Sequence, residues 1–224
     1  MGPTSTSTDR VVLVTGGGDL AADMTESLLE HGARVALAGP CADEVRLAMP
    51  PGSAVLALPC GRDDLVGPGR AVDTVVERLG RLDHLVNVVA ARPRPGPLME
   101  LDPLDLRDVL HGDLMTPLAC VQHAYRRWMA AHGGSVVNVV AATPRGGPRD
   151  VALAGLTELT EWLAAELAPR IDVHTLLPSP SLSPDAYRAG VAEEVCELLT
   201  RRTNAAHGPV LVLSEEPACP SRAA

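Results

Sequence analysis

One stretch constrains the fold of this chain more than any other: Arg10-VVLVTGGGDLAA-Asp23. Val11 to Val14 are four consecutive apolar residues, three of them β-branched, which is the pattern of a strand buried on both faces. Thr15, Gly16, Gly17 and Gly18 follow with almost no side chain. A helix is expected over 20–31, closed by Gly32. A strand, a glycine turn and a helix start in that order suit a nucleotide phosphate. Glycine lets the backbone approach the pyrophosphate, and the free N–H groups at a helix N-terminus favour negative charge.

The same alternation continues. Apolar runs predict strands over 33–38, 55–58, 82–90, 135–140 (continuing to 142), 173–177 and 210–213. Helical patterns cover 71–79, 104–131, 152–168 and 185–202. Asp102-Pro103 is a helix start, and a break is expected near Gly112 and Pro117. In the 152–168 helix Leu156, Leu159, Leu163 and Leu167 recur at steps of three and four. Seven strands alternating with helices predict an α/β doubly wound parallel sheet of the Rossmann type. It forms one domain over 9–215, with a disordered tail over 1–8 and a frayed tail over 216–224.

Composition narrows the function. Phe is absent and Trp and Tyr number two each, so Val, Leu and Ala must build the core. The basic residues are all Arg, which with abundant Ala, Gly and Pro reads as bacterial GC bias. A net charge of −9 excludes nucleic acid and anionic membrane as partners. Five scattered cysteines without a CxxC pair predict free thiols in a reducing cytoplasm. No apolar run approaches the roughly 20 residues of a membrane span.

The opening resembles the TGxxxGxG signature of the short-chain dehydrogenase/reductase family. Later segments follow that family in order: LVNVVA at 85–90 against LVNNAG, GGSVVNVVAA at 133–142, LTEWLAAELAP at 159–169 against LTxxLAxELAP, and GPVLVL at 208–213. The resemblance implies NAD or NADP, with Thr15, Gly16, Gly17, Gly18, Leu20, Asn87 and Ala90 at the cofactor. Departures accompany it. The glycine loop is about one residue short, so the later family glycines fall on Gly18 or Asp19 and on Ala21. Asp19 would bring a carboxylate near the pyrophosphate unless it points away. Pro40 stands where the family carries Asp for NAD or Arg for NADP. Asp63 or Asp64 could stand in for the family's adenine-side Asp, or cap the following helix. Arg92 and Arg94 suit either an anion or a solvated loop.

The resemblance also places the family's Asn-Ser-Tyr-Lys tetrad on Asp113, Ala141, Arg149 and Leu153. The chain has no Lys, and its tyrosines, Tyr125 and Tyr187, are followed four residues later by Met129 and Val191. A guanidinium stays protonated through any working pH, so Arg149 cannot act as the proton donor, though its charge can bind an anion. The segment over 180–184 is too short for the family's substrate lid, which predicts an open pocket. His111, Cys120, His123, Arg145 and Asp150 are the other reactive side chains near this centre. Cys120 and His123 share a helix face, but no metal site is expected. These losses favour a structural or regulatory partner subunit without ordinary ketoreductase activity. Its homodimer, or its heteromer with an active reductase, would form through helices 116–131 and 152–168. Val121, Tyr125, Trp128, Met129, Leu159, Trp162 and Leu163 could supply the contact face, or part of this set could pack on the sheet. The alternatives are an NAD(P)-dependent oxidoreductase with a non-standard site, and a non-redox biosynthetic enzyme, such as a cyclase or dehydratase, using Asp113 or a histidine.

Overall fold

A computed structural model describes residues 9–50, 52–61, 64, 66–89, 98–143, 147–200 and 208–214. Seven parallel strands form one sheet in the order β3-β2-β1-β4-β5-β6-β7. They are β1 (Val11–Thr15), β2 (Arg34–Gly39), β3 (Val55–Pro59), β4 (His84–Val89), β5 (Gly134–Val140), β6 (Ile171–Pro178) and β7 (Val210–Leu213). The helices are α1 (Asp19–Glu30), α2 (Ala42–Ala48), α3 (Gly67–Leu79), α4 (Pro103–Leu110), α5 (Thr116–Ala124), α6 (Ala130–His132), α7 (Pro148–Leu167) and α8 (Pro184–Thr200). The chain runs outward from β1 in one direction and then, after β3, in the other. The order therefore switches between β1 and β4, where open α/β sheets form their ligand crevice.

Strand period and burial agree. Val12 and Val14 of β1 pack with Met24, Leu28, Tyr187, Val191 and Val195 on the α1–α8 side. Val11 and Leu13 pack with Val72, Val75, Cys120, Val121 and Ala124 on the other side. Both faces of β1 are fully buried, as four consecutive apolar residues require.

Several element bounds differ from expectation. Residues 103–132 form no break at Gly112 and Pro117. The irregularity is absorbed by two π-helical turns, His111–Met115 and Tyr125–Met129. Proline lacks an N–H and crowds the preceding turn. A π turn just before Pro117 accommodates both effects, and the Thr116 N–H reaches back to the His111 carbonyl. Helix α7 begins at Pro148 rather than 152, because Gly147 at φ 78° turns the chain and Pro148 suits a first helical turn. Strand β5 stops at Val140 rather than 142, although the Ala141 N–H still donates to the Val89 carbonyl at 3.0 Å. Strand β4 begins at His84 rather than 82. The segments 1–8 and 216–224, together with Asp63, Ala90, Arg92, Arg94 and Arg145, lie outside the described residues.

The structure also decides part of the expected contact face. Val121 and Met129 are buried against the sheet, because they fall on the inward stripe of the helix. Trp128 is half-buried and stacks on His132, with ring centroids 3.8 Å apart. Trp162 and Tyr125 are exposed. No described helix is long and apolar enough to cross a membrane.

Candidate active site

The glycine turn after β1 is shaped by close backbone contacts. Gly39, at the end of β2, abuts the turn so tightly that a Cβ there would fall 1.7 Å from the Gly16 carbonyl oxygen. Gly16 itself has φ 113°, and its own Cβ would meet the Val88 carbonyl at 2.5 Å. The turn thus lies flat across the ends of β2 and β4. Gly18 precedes α1 at φ 77° with no side-chain cap, and a Cβ there would meet nothing within 4 Å. No side chain therefore caps the start of α1, where helix N–H groups favour negative charge. Asp19 turns toward α8, where Arg188 pairs with it at 3.3 Å and with Asp23 at 2.7 Å.

A cleft opens beside this turn. Thr15, Gly16, Gly17, Pro40, Cys60, Asp64, Asn87, Val88, Asp113, Thr116 and Cys120 contribute to its walls. Of the residues expected at the cofactor, Thr15, Gly16, Gly17 and Asn87 line this cleft. Leu20 instead packs into the core on the α1–α8 side. Asp64 caps α3, accepting from the N–H groups of Val66 at 3.0 Å and Gly67 at 2.9 Å. Cys120 is fully buried, and burial pushes its thiol up to about 12. His123 packs on Gly69 of α3 instead of joining Cys120, and no described cluster could hold a metal.

A line of buried side chains leaves the cleft and crosses the sheet. Thr15 Oγ1 donates to Asn87 Oδ1 at 2.8 Å, Asn87 Nδ2 to Asn138 Oδ1 at 2.9 Å, and Asn138 Nδ2 to Thr175 Oγ1 at 3.1 Å. Thr175 and Thr160 share a 2.7 Å contact, and Thr160 donates to the Leu156 carbonyl at 2.7 Å. Every member has a partner, so this network ties four strands to α7 at little desolvation cost. Asn138, Thr160 and Thr175 were missed in the sequence. The available signal was an Asn inside the otherwise apolar run SVVNVV.

Asp113 sits on the first π turn and Arg149 on the first turn of α7. Their side chains are 4% and 8% exposed, with Arg149 Nε 3.6 Å from Asp113 Oδ2. Arg149 Nη2 donates to the Ala141 carbonyl at 2.9 Å. Gly155 lets Leu114 of the π turn seat against α7, 3.2 Å from where a Cβ would stand. Three of the four sequence-assigned positions are therefore brought together beyond the end of β5. Leu153, the fourth, packs with Val89, Val140 and Leu156. His111 lies on the same π turn, and Asp150 is exposed on α7. Burial pulls the Arg149 pKa below its ordinary value, while the Asp113 charge and hydrogen bond pull it back. Tyr187, also missed as a neighbour of this centre, is fully buried on α8, and its hydroxyl donates to the Leu176 carbonyl at 3.4 Å.

A family model described as enoyl-(acyl carrier protein) reductase matches residues 18–207. The chain belongs to the short-chain dehydrogenase/reductase family. Cis-4-hydroxycyclohexanecarboxylate dehydrogenase of Sinomonas cyclohexanicum is 31% identical over 213 residues, covering 90% of this chain and 82% of that one. Peroxisomal 2,4-dienoyl-CoA reductase of Danio rerio is 27% identical over 192 residues; the match covers 80% of this chain and 64% of the relative's length. Among solved structures, a short-chain dehydrogenase/reductase from Serratia marcescens superposes with a TM-score of 0.77 at 25% identity, over 93% of this chain and 97% of that one. A short-chain dehydrogenase from Bacillus anthracis reaches 0.80 at 20% identity, over 94% and 99%, and speaks for the fold alone. Family membership makes the cleft beside β1 the place to test for a nicotinamide cofactor. The flat glycine turn and the uncapped start of α1 fit one.

Proposed function

We propose that the protein is an NAD(P)-dependent oxidoreductase of this family with a non-standard reaction centre built on Asp113 and Arg149. The observation that carries this reading is the buried Asp113–Arg149 pair, held against Ala141 at the carboxyl edge of β5 beside the cleft. A bound nicotinamide would supply or accept hydride. The chain's own residues do the rest. Thr15, Gly16, Gly17 and Asn87 line the cofactor's path, and the uncapped start of α1 favours its phosphates. Arg149 remains protonated and so gives up no proton; its role is to hold negative charge developing on the acceptor oxygen, while Asp113 and the Ala141 carbonyl fix its orientation. The proton of the product comes from water. Only five residues, 179–183, separate β6 from α8, so nothing there is long enough to shut water out.

Such a centre suits acceptors whose reduced form is a stabilised oxyanion, such as the enolate of a carbonyl-conjugated alkene, more than an isolated ketone whose alkoxide needs a strong acid nearby. The names of the family model and of the fish relative agree with this substrate class. The test is oxidation of NADH and NADPH with paired conjugated and isolated carbonyl acceptors. Arg149→Gln is expected to lower turnover about 10²–10³-fold, the scale of losing one oxyanion-binding donor. Bound cofactor with no turnover across the panel would sink this reading.

A second reading, a partner subunit in a homodimer or a heteromer with an active reductase, is supported by Trp162, 69% exposed on α7. Large aromatics are favoured at interfaces. Trp162→Glu would then lower the mass measured by sedimentation, and a monomeric wild type with no partner on co-expression would count against it.

A further inference from the structure

The buried line of side chains that leaves the cleft has a direction, and its far end on α7 sets it. A backbone carbonyl only accepts, so the 2.7 Å bond to the Leu156 carbonyl takes the Thr160 proton. The 2.7 Å contact between Thr160 and Thr175 is then made with the Thr175 proton. Thr175, its proton spent, accepts from Asn138 Nδ2 at 3.1 Å, which turns Asn138 Oδ1 toward Asn87. Asn87 Nδ2 must face that oxygen, so Asn87 Oδ1 faces Thr15 and takes the Thr15 proton. Thr15 is left with lone pairs for anything else it touches. One such neighbour is the Cys120 thiol, which burial keeps protonated and so able to donate. The other is the cleft, which Thr15 and Cys120 both line. Thr160 and Thr175 are fully buried, and Asn87 and Asn138 nearly so, which keeps bulk water from competing for these bonds.

Turning both amides round would reverse every bond in the line. Thr160 would then give its proton to Thr175 and release the Leu156 carbonyl, and Thr15 would aim its proton at Cys120 and the cleft. The two arrangements exchange one bond at α7 for one at the cleft. We propose that Thr160 is a positioning residue for the cleft: by holding the Leu156 carbonyl, it fixes the line so that Thr15 meets a bound dinucleotide as a hydrogen-bond acceptor. A hydroxyl or amide N–H of the ligand is matched there, and a phosphate oxygen is not. The ligand half of this inference rests on the oxidoreductase reading above.

Two readouts test this on the full chain, with Thr160→Val and Thr160→Ser. Val keeps the shape of Thr but offers Thr175 no acceptor, so the Thr175 proton turns to Asn138 and the line reverses. Ser keeps the hydroxyl and the direction. In nuclear Overhauser spectra of the protein without ligand, the Asn87 side-chain amide protons should give their strongest inter-residue cross-peaks to Asn138 in the wild type and Thr160→Ser, and to the Thr15 methyl in Thr160→Val. NADH affinity, followed by reduced-nicotinamide fluorescence, should fall about tenfold in Thr160→Val and return in Thr160→Ser. In a Thr15→Val background, where no hydroxyl is left to turn, Thr160→Val should cost no further affinity. A wild-type cross-peak pattern in Thr160→Val would overturn the direction of the line. An affinity loss of equal size with and without the Thr15 hydroxyl, or no loss in the single variant, would overturn the positioning role. No NADH bound by the wild type up to millimolar would overturn the oxidoreductase reading and the ligand half of the inference, while the cross-peaks decide the direction of the line by themselves.

Discussion

Arg149→Met isolates the electrostatic problem at the centre of this site. The wild-type pair is almost dry, with side chains 8% and 4% exposed and a 3.6 Å separation between Nε and Oδ2. Methionine fills much of the space of the arginine stem, so the cavity contribution is small. What changes is that Asp113 stays buried without its guanidinium and the Ala141 carbonyl loses its 2.9 Å donor. Breaking a buried ion pair from one side costs about 3–5 kcal/mol, and the lost hydrogen bond overlaps with that figure. We expect a loss of about 4 kcal/mol. With a urea slope of about 2 kcal/mol/M, the unfolding midpoint falls by about 2 M. The decisive comparison is the double variant Asp113→Asn/Arg149→Met. Removing both charges should recover most of the loss, because replacing a whole buried pair is far milder than orphaning half of one. A single variant within about 1 kcal/mol of wild type, or a double variant no better than the sum of the singles, would refute the idea that the two charges hold each other in place.

Other expectations follow from the same geometry. His84 is buried against Ser135, at 2.7 Å, and burial lowers its pKa from 6.5 to about 4. The unfolded chain binds this proton first. The His84 contribution is therefore complete above pH 6.5 and is lost as pH falls through about 4, on the order of 3 kcal/mol in all. Urea melts across that window should show a slope that His84→Asn flattens. Gly39→Ala puts a methyl 1.7 Å from the Gly16 carbonyl, backbone against backbone. It should cost about 3 kcal/mol or more and shift the melting temperature accordingly. Cys120, with its thiol pushed up to about 12, should stay silent to Ellman's reagent in the native protein and react only after denaturation; rapid native labelling at Cys120 would contradict its burial.

Much of the fold was legible because its signals are local and strong. The run Val11–Val14 specified a strand buried on both faces, and Gly80, in the left-handed region, ended α3 where a helix stop was expected. The long helix was harder to read. Gly112 and Pro117 signal an interruption, but the choice between a break and a π turn depends on what the helix packs against. Leu114 seating over Gly155 of α7 is a contact between residues 41 positions apart. For a similar reason the stripe on this helix left two readings open, sheet or partner, and Val121 and Met129 fall on the sheet side.

The sequence alone determined the architecture and the absence of a Tyr–Lys pair, because strand period, glycine turns and residue identity are properties of the chain itself. It also placed Asp113, Ala141 and Arg149 as candidates, but it could not say that they meet. That was decided by tertiary structure. The register of β4 against β5, the π turn before Pro117 and the early start of α7 at Pro148 converge on one point. There, burial turns two distant charged residues into a pair, since either charge left alone in that dry position would be buried without a counter-charge.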